Sequence, residues 1–425
     1  MNRFLRLAAK ILLWIVGSFA TILLALFLYV QARWDAPDSR PAPAMTAPRD
    51  SATIARGEYI FKYQAHCWGC HAAGNMGADS PPSGGGLFDL RNAGPGFGIW
   101  RSRNLTPDVE TGIGGWTDGE IVQAMREGIR KDRTAMFPLM PVDWYYGISD
   151  DDALAIVAYL RSIPPVSNNV PPQEPSIFAK ALFAFGVMKP KERIAEPVIA
   201  PPKGVTVEYG KYVATHVAAC FECHAPRNLS NGQFYPDSIG GGSVFPFGSG
   251  EKDGVGAVFQ SFARNITSDK ATGIGNWTEA QFLSALTVGM RPDGTVLYPS
   301  MPYSYFKFCT EEDLRAMYLY LESMPAIKRT VPPTEASAPY LAAKGADRGK
   351  LLFAGRCLTC HGGEGAGSHP TKVKLAEVAS SLSDADLKEM IRTGDTNLKM
   401  PSFGQTLSAE ELNDLVAYVR TWKTQ

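Results

Sequence analysis

The amino-acid sequence predicts an all-α fold with an apolar helix at its N-terminus and three copies of one small helical unit after it. Three observations predict this fold. They are an uncharged apolar stretch near the N-terminus, a pattern of capped amphipathic helices that recurs three times, and a composition, 45% hydrophobic and 20% charged, typical of folded chains. Lys and Arg together number 42, as do Asp and Glu, so no charge excess indicates a nucleic-acid partner.

The apolar stretch runs from Ile11 to Val30 and has the length of a helix that crosses a membrane. Three cations among the first ten residues place the N-terminus in the cytoplasm and export the rest of the chain. A cleaved signal peptide is the alternative, because Val30-Gln31-Ala32 loosely fits a cleavage site. The stretch is longer than the usual apolar core of a signal peptide, so we expect residues 1–34 to be a retained transmembrane anchor.

Two helices with recurring cap patterns are predicted in each unit. The last helix begins with a hydroxyl residue suited to an N-cap, carries an acidic residue three positions later, and then shows apolar residues at helical spacing. These terminal segments are Ser149–Leu160, Thr310–Leu321 and Ser408–Val419. An earlier helix also starts with a capping pattern and reaches a glycine suited to a C-cap. It runs from Thr117 to Gly128, from Thr278 to Gly289 and from Ser383 to Gly394.

A third shared segment opens each unit and is predicted to form an N-terminal helix. Its three copies are Gly57-Glu58-Tyr59, Gly210-Lys211-Tyr212 and Gly349-Lys350-Leu351. The units therefore span residues 50–168, 204–328 and 344–425, each the size of a small domain. Proline-rich segments, Pro164–Pro175 and Pro325–Pro339, join them and have the composition of stiff, extended linkers. We therefore expect three domains strung on one chain.

Six of the seven cysteines fall into CxxCH motifs, one in each unit. In this motif the two thiols form thioethers to one haem, and the histidine coordinates its iron. Zinc is the alternative for paired cysteines, but it needs about four ligands and no second CxxC accompanies each motif. The sequence therefore predicts three covalent haem c groups. The attachment residues are Cys67, Cys70, Cys220, Cys223, Cys357 and Cys360, and the iron ligands are His71, His224 and His361.

The second iron ligand is predicted from a Met-Pro pair that precedes each terminal helix. The pairs are Met140-Pro141, Met301-Pro302 and Met400-Pro401. A methionine thioether is a known axial ligand in cytochromes c, and iron with both axial positions filled passes electrons without binding a substrate. Met136 is a rival in the first unit but has no counterpart in the second, and Met324 lies beyond the terminal helix. Three His/Met haems are therefore expected.

The other side chains near these motifs receive structural interpretations. His66, His216 and His369 are the remaining histidines, and Cys309 is the seventh cysteine. We expect structural or solvent roles for the histidines and a buried thiol for the cysteine. Arg103-Asn104 and Arg264-Asn265 recur at matching positions. They suit either haem propionates or a loop that caps its own backbone, and the sequence does not decide between the two.

The haem motifs, the Met-Pro pairs and the repeated RN(L/I)T and TGIG(G/N)WT blocks resemble a known family. They are similar to the triheme cytochrome c subunits of bacterial membrane-bound dehydrogenases that oxidise alcohols, aldehydes or sugar acids. The resemblance covers about residues 50 to 425. It implies three class I cytochrome c domains at the periplasmic face of the inner membrane. It also implies a catalytic dehydrogenase partner, which holds a molybdenum, quinone or flavin cofactor, and membrane ubiquinone as the electron acceptor.

The predicted function is therefore that of an electron-transfer subunit, which is not an enzyme by itself. Two alternatives stay open. The cytochrome c subunit of a terminal oxidase also carries an N-terminal anchor and serial c domains. A multihaem peroxidase or reductase needs one open iron, and a missing Met-Pro pair would indicate it. All three pairs are present, which favours the relay.

Overall fold

The computed structural model of this chain describes residues 3–72, 80–92, 94–226, 240–247, 258–362, 365, 375–395 and 397–422. The N-terminal helix α1 spans Arg3–Arg33. In the described part of the chain it is the one helix long and apolar enough to cross a membrane, and its spanning segment is not buried by the rest of the protein. The expected apolar helix is confirmed.

The rest of the described chain is mostly helical, and similar helices recur in three stretches, residues 51–184, 207–336 and 338–419, which overlap the three predicted units. The first unit holds α2 (Ser51–Tyr59), the π-helical turn π1 (Ile60–Gln64), α3 (Trp68–His71), β1 (Leu87–Asp89), β2 (Gly98–Arg101), α4 (Asp118–Glu127), α5 (Val142–Tyr145), α6 (Asp150–Ser162), β3 (Glu174–Pro175) and α7 (Ile177–Ala184). The second holds α8 (Val207–Tyr212), the π-helical turn π2 (Val213–Val217), α9 (Cys220–His224), β4 (Val244–Phe247), β5 (Phe259–Phe262), α10 (Glu279–Thr287), α11 (Tyr303–Phe306), α12 (Glu311–Ser323) and β6 (Glu335–Ala336). The third holds α13 (Ala338–Ala342), α14 (Gly345–Arg356), α15 (Leu358–His361), α16 (Leu375–Ser381), α17 (Asp384–Thr393) and α18 (Ala409–Val419).

The first helix of each unit crosses its last helix at a glycine. α2 packs on α6, α8 on α12, and α14 on α18. A Cβ atom added to Gly57 would lie 1.8 Å from the carbonyl oxygen of Ala155. The same construction at Gly210 and Gly349 gives 1.9 Å and 2.0 Å to a backbone oxygen. Any side chain at these positions would therefore push the two helices apart, which explains the glycine shared by the three opening segments.

The predicted caps are confirmed. Thr117 and Thr278 each form a complete capping box, and the Ser383 side chain accepts a hydrogen bond from the backbone N–H of Asp386. The helices α4, α10 and α17 then end at glycines with φ of 70° to 77°, namely Gly128, Gly289 and Gly394. Only glycine adopts this backbone conformation without a steric cost, so the chain turns sharply at the same place in each unit.

Two small sheets correct the all-α expectation and the interpretation of the linkers. β1, β2 and β3 form one antiparallel sheet, and β4, β5 and β6 form another. β3 and β6 belong to the two proline-rich segments that the sequence analysis assigned to extended linkers. Each pairs with a strand of the unit before it. Hydrophobic and proline content did not reveal this pairing, because the strands are only two residues long.

The first two units share one continuous hydrophobic core. It contains Phe61 and Ile156 of the first unit together with Val213 and Leu314 of the second, all at most 2% exposed. A separate core joins the third unit to β5 and a loop of the second, where Phe353 and Leu415 pack with Phe259 and Val296. The units are therefore packed together rather than held apart by spacers.

Candidate haem-binding sites

Each CxxCH motif folds as a short helix at the end of a longer one. In the first two units a π-helical turn carries the chain from α2 to α3 and from α8 to α9. The residue before the first cysteine then takes a positive φ, 40° at His66 and 48° at Ala219. Residues other than glycine rarely adopt this conformation, and such sites cluster where a local geometry serves a function. The same backbone conformation, a π-helical turn and then a residue with positive φ, therefore leads into both motifs.

No disulfide joins the six cysteines of the three motifs. Burial in apolar surroundings raises the pKa of Cys67, Cys220 and Cys357 to about 12 each. Two thiols three residues apart on one helical turn, followed by an imidazole, form the donor set that covalent haem c requires. The residues present therefore fit the group that the motif predicts.

The histidines of the first two motifs are oriented by a backbone carbonyl. Nδ1 of His71 lies 2.9 Å from the oxygen of Arg103, and Nδ1 of His224 lies 2.6 Å from that of Arg264. A carbonyl only accepts hydrogen bonds, so Nδ1 carries the proton and Nε2 keeps its lone pair for a metal. Burial lowers the pKa of both imidazoles, which favours the neutral form that binds iron.

The loop that supplies this carbonyl is held by the asparagine next to it. The Asn104 amide donates to the carbonyl of Val166 and to the hydroxyl of Thr111, while its oxygen accepts from the N–H and hydroxyl of Thr106. Asn265 makes the corresponding bonds in the second unit. The repeat thus forms a loop that caps its own backbone, which is one of the two interpretations of its sequence. Its contact with the motif histidine is a carbonyl contact, which the side-chain pattern alone did not reveal.

The guanidinium groups of the same repeat hold the segment that follows the terminal helix. Nη1 of Arg103 donates to the carbonyls of Val170 and Pro171. Arg264 makes the same two bonds, to Val331 and Pro332. The two arginines therefore fasten the proline-rich segments to the loops that orient the histidines.

The Met-Pro pairs lie in corresponding loops of the first two units. Met140 and Met301 are half-buried against the shared core. The carbonyl of each accepts a hydrogen bond across the proline, from the N–H of Val142 and of Tyr303, where the short helices α5 and α11 begin. Met136 is also half-buried, and its N–H donates to the carbonyl of Gly128. Met136 is thus hydrogen-bonded to the glycine that ends α4, whereas Met140 lies at the entry to α5.

The third site has the same motif but a shorter methionine loop. Met400 is half-buried and exchanges two backbone hydrogen bonds with Asp395, directly after α17. Burial, assisted by the charge of Lys307, lowers the pKa of His361 to about 4. Lys307 comes from the second unit and is only 8% exposed. The attachment motif of the third unit therefore faces the second unit.

Aromatic side chains join the sites of the first two units in a reciprocal way. Trp144, which follows Met140 in the first unit, packs on Phe221 within the second motif, with ring centroids 5.6 Å apart. Tyr305, at the matching position of the second unit, packs on Trp68 within the first motif at 6.5 Å. Each methionine loop thus contacts the attachment helix of the other unit. The sequence analysis missed these residues, although their matching places after the Met-Pro pairs were a usable signal.

The remaining candidates occupy structural positions. His66 packs against the rings of Tyr305 and Phe306, and burial lowers its pKa to about 4. Nδ1 of His216 lies 3.0 Å from the carbonyl oxygen of Trp144. Cys309 is half-buried, and burial raises its pKa to about 12. His369 lies outside the described residues.

Comparison with known protein families identifies the domains that carry two of these motifs. Residues 54–164 match the family model described as cytochrome c. The chain contains cytochrome c domains. Residues 344–419 match a second cytochrome family, described as cytochrome c oxidase, cbb3-type, subunit III. These cytochrome domains enclose the first and third motifs, so the haem chemistry predicted from the motifs agrees with the families.

Similar proteins are cytochrome subunits of dehydrogenases. The cytochrome c subunit of alcohol dehydrogenase (quinone) from Gluconobacter oxydans (strain 621H) is 28% identical over 87% of this chain and 78% of its own length. The gluconate 2-dehydrogenase cytochrome c subunit of Pantoea cypripedii is 26% identical, over 87% of this chain and 86% of its own. The fructose dehydrogenase cytochrome subunit of Gluconobacter japonicus is 28% identical, over 94% and 85%. By their names these relatives are cytochrome subunits and not catalytic ones, as the resemblance implied.

Proposed function

We propose that this chain is an electron-transfer subunit with three covalent haems, which carries electrons from a periplasmic dehydrogenase subunit to membrane ubiquinone. One observation carries the proposal: the attachment motif recurs three times in a chain whose relatives, aligned over most of its length, are cytochrome subunits of dehydrogenases. A haem iron with two protein ligands changes oxidation state without binding a substrate. The protein's part is to hold the three groups close together and to set their ligands.

The proposed domains are residues 50–168, 204–328 and 344–425, each with one haem. The proposed iron ligands are His71 with Met140, His224 with Met301, and His361 with Met400. The oriented imidazoles of the first two units support the histidine half of each pair. The placement of Met140 and Met301 just before matching short helices supports methionine as the other ligand of each pair.

Single methionine variants test this ligand set. We expect Met140→Ala, Met301→Ala and Met400→Ala each to make one haem reactive towards carbon monoxide, because each removes the ligand that closes one iron. Met136→Ala is the matched control in the first unit and should leave the spectrum unchanged. If Met136→Ala opened a haem while Met140→Ala did not, the assignment in the first unit would be wrong.

The proposed partner is a catalytic dehydrogenase subunit that holds a molybdenum, quinone or flavin cofactor. The relatives named for alcohol, gluconate and fructose dehydrogenases support a partner of this class. Purification of the chain from its native membrane should bring such a subunit with it. Addition of the partner's substrate should then reduce the haems, and a short-chain ubiquinone should reoxidise them. Reduction without reoxidation by quinone would remove ubiquinone from the proposal.

The proposed location is the bacterial inner membrane, with α1 as a single retained anchor and the haem domains in the periplasm. Support comes from the end of α1, which packs on the body of the protein: Val30 is only 3% exposed, and the ring of Tyr29 stacks on Phe185. A peptide that is removed after export has no need of such contacts. The N-terminal residue of the mature chain, read by mass spectrometry, decides between retention and cleavage.

A terminal-oxidase subunit is the second candidate, since the family matched by the third unit is named for a cbb3-type oxidase. That match covers the third unit, whereas the dehydrogenase relatives align with 87% to 94% of the chain. The longer alignments favour the dehydrogenase. Co-purification with an oxidase subunit instead of a dehydrogenase subunit would favour the terminal oxidase over the dehydrogenase.

A further inference from the structure

The helix α7 lies directly against the point where α1 leaves its apolar stretch. The hydroxyl of Tyr29 donates to the carbonyl of Ala184, and its ring stacks on Phe185 with centroids 5.5 Å apart. Lys180 donates to the side chain of Gln31 and lies over the ring of Trp34, 5.0 Å from its centroid. These contacts tie α7 to the last turn of α1.

The position of these contacts along α1 fixes the level of α7 relative to a membrane. The uncharged stretch from Ile11 to Val30 has 20 residues, which as a helix span about 30 Å, the thickness of a hydrocarbon core. The contacts with α7 are made by Tyr29, Gln31 and Trp34, at its exported end. Tyr, Trp and Lys are the residues that concentrate at the boundary between lipid and water. If α1 spans the bilayer, α7 therefore lies at the membrane surface.

One face of α7 is packed into the first unit. Ala179 and Leu182 are buried with Phe97 and Trp100 in an aromatic cluster. The cluster also contains Phe137, whose ring stacks on Trp100 at 4.1 Å and lies three residues before Met140. The packed face thus connects the helix rigidly to the methionine loop of the first site.

The remaining face of the segment is apolar and exposed. Ile177, Phe185 and Val187 are 51%, 54% and 38% exposed, and Tyr29 beside them is 45% exposed. Lys189 follows this segment; 66% of its side chain is exposed, and its amine lies 3.6 Å from a carboxylate oxygen of the exposed Glu192. Apolar side chains flanked by lysine, at the level of the lipid headgroups, form the surface that an interfacial helix presents to anionic phospholipid.

The geometry points to residues 177–188 as a second membrane contact, which inserts its exposed apolar side chains among the headgroups and holds the first haem domain against the bilayer. This inference rests on the proposed role of α1 as a membrane anchor. Its occupant is phospholipid. The consequence for function is that the methionine loop of the first unit stands on the membrane side of the protein, next to the phase in which a lipid-soluble acceptor diffuses.

Photolabelling of the full-length, haem-loaded protein in vesicles of phosphatidylcholine and phosphatidylglycerol tests the inference. The vesicles contain a phospholipid with a diazirine in its acyl chain, and adducts are mapped by peptide mass spectrometry. We expect adducts within residues 11–30 and also within residues 177–188. The peptides that contain Val109 and Ile199, which are 74% and 85% exposed, should carry none.

A substitution separates lipid contact from nonspecific labelling. Phe185→Asp should reduce the adducts on residues 177–188 by about tenfold, because a charged side chain replaces an exposed aromatic one at the lipid boundary. Val109→Asp is the matched control and should change nothing. Adducts on α1 with none on residues 177–188 would overturn the inference while leaving the anchor in place. The absence of adducts on α1 as well would overturn the anchor itself.

Discussion

The contact between the first two units and the contact between the second and third are built differently. In the first, two tyrosines cross the boundary in opposite directions. The hydroxyl of Tyr59 donates to the carboxylate of Asp313 at 2.5 Å and accepts from the N–H of Thr310. Tyr212 donates to Asp152 at 2.7 Å and accepts from the N–H of Ser149. Each tyrosine of one unit thus caps the terminal helix of the other, and we call this pair of contacts the reciprocal interface.

The third unit cannot make this contact. Its opening segment has Leu351 where the others have tyrosine, and Leu351 packs into the core of the third unit. The third unit is joined instead by Arg356, which lies 3.4 Å from the ring centroid of Tyr298, and by Thr406, whose hydroxyl accepts from the N–H of Val296. The difference teaches that one repeated unit can associate in two ways, and that the unit without the tyrosine associates through other side chains.

The largest effect is expected from Asp313→Ala. This buried carboxylate accepts hydrogen bonds from Tyr59, Tyr209 and Gln64. Its removal leaves three donors without an acceptor, which should cost about 3 kcal/mol of stability. Hydrogen exchange read by mass spectrometry should show faster exchange in both α2 and α8, because the interface involves both units.

The matched control is Glu411→Ala in the third unit. Glu411 stands at the same position of its helix as Asp313 and accepts from Tyr340 and Ser408. We expect a loss of about 1 kcal/mol, the usual value of a helix cap, with faster exchange confined to the third unit. If Asp313→Ala affected the second unit alone, the reciprocal interface would not couple the two units.

The next effect is expected from Asn104→Ala, with Asn265→Ala as its counterpart. Each asparagine is at most 3% exposed and holds the loop whose carbonyl accepts from the histidine of the attachment motif, the proposed iron ligand. We expect a cost of about 2 kcal/mol for the lost buried hydrogen bonds. A carbonyl that is held less firmly accepts a weaker hydrogen bond from the histidine Nδ1. The imidazole then donates less electron density to the iron, so the reduction potential of that one haem should rise. Redox titration would show one potential shifted, and two shifted potentials or none would contradict the role assigned to the loop.

A smaller effect is expected from Tyr212→Phe. The change removes the bonds to Asp152 and Ser149 but keeps the ring, so it should cost about 1 kcal/mol. Asp152 also receives two hydrogen bonds from Arg56, which limits the loss. Exchange in α6 should increase modestly while that in α18 stays the same. An increase as large as that of Asp313→Ala would contradict this ranking and mean that the two halves of the interface contribute equally.

The smallest effect is expected from Lys399→Met at the contact of the third unit. Lys399 is exposed, and its amine donates to the carbonyl of Lys307 at 2.9 Å. Surface groups of this kind contribute within about 0.5 kcal/mol. Exchange in α14 and α18 should therefore be unchanged. A release of the third unit by this single substitution would show that polar contacts, and not the apolar core around Phe353, hold it in place.

Much of the fold follows from local sequence patterns. The helix caps at Thr117, Thr278 and Ser383 were predictable because a cap depends on residues three positions apart. The glycines at 57, 210 and 349 were visible as a repeat, but the helix crossing that requires them joins segments distant in the chain. The strand at Glu174–Pro175 was not predictable, since two residues carry no periodic pattern.

The candidate sites also combine residues that a local motif predicts with contacts that only the fold creates. The attachment residues and histidines follow from a motif of five residues. The carbonyls of Arg103 and Arg264, which orient two of those histidines, are backbone groups and leave no mark of their own in the sequence. The aromatic contacts of Trp144 and Tyr305 depend on how two units associate, which no motif within one unit records.

The most direct test of the account is an optical one on the purified full-length chain. Haem per polypeptide is counted after denaturation, and the reduced native protein is then exposed to carbon monoxide. The account predicts three haems per chain and no change in the spectrum on addition of the gas, because every iron has both axial positions filled. Two haems, or a native haem that binds carbon monoxide, would contradict the closed three-haem relay.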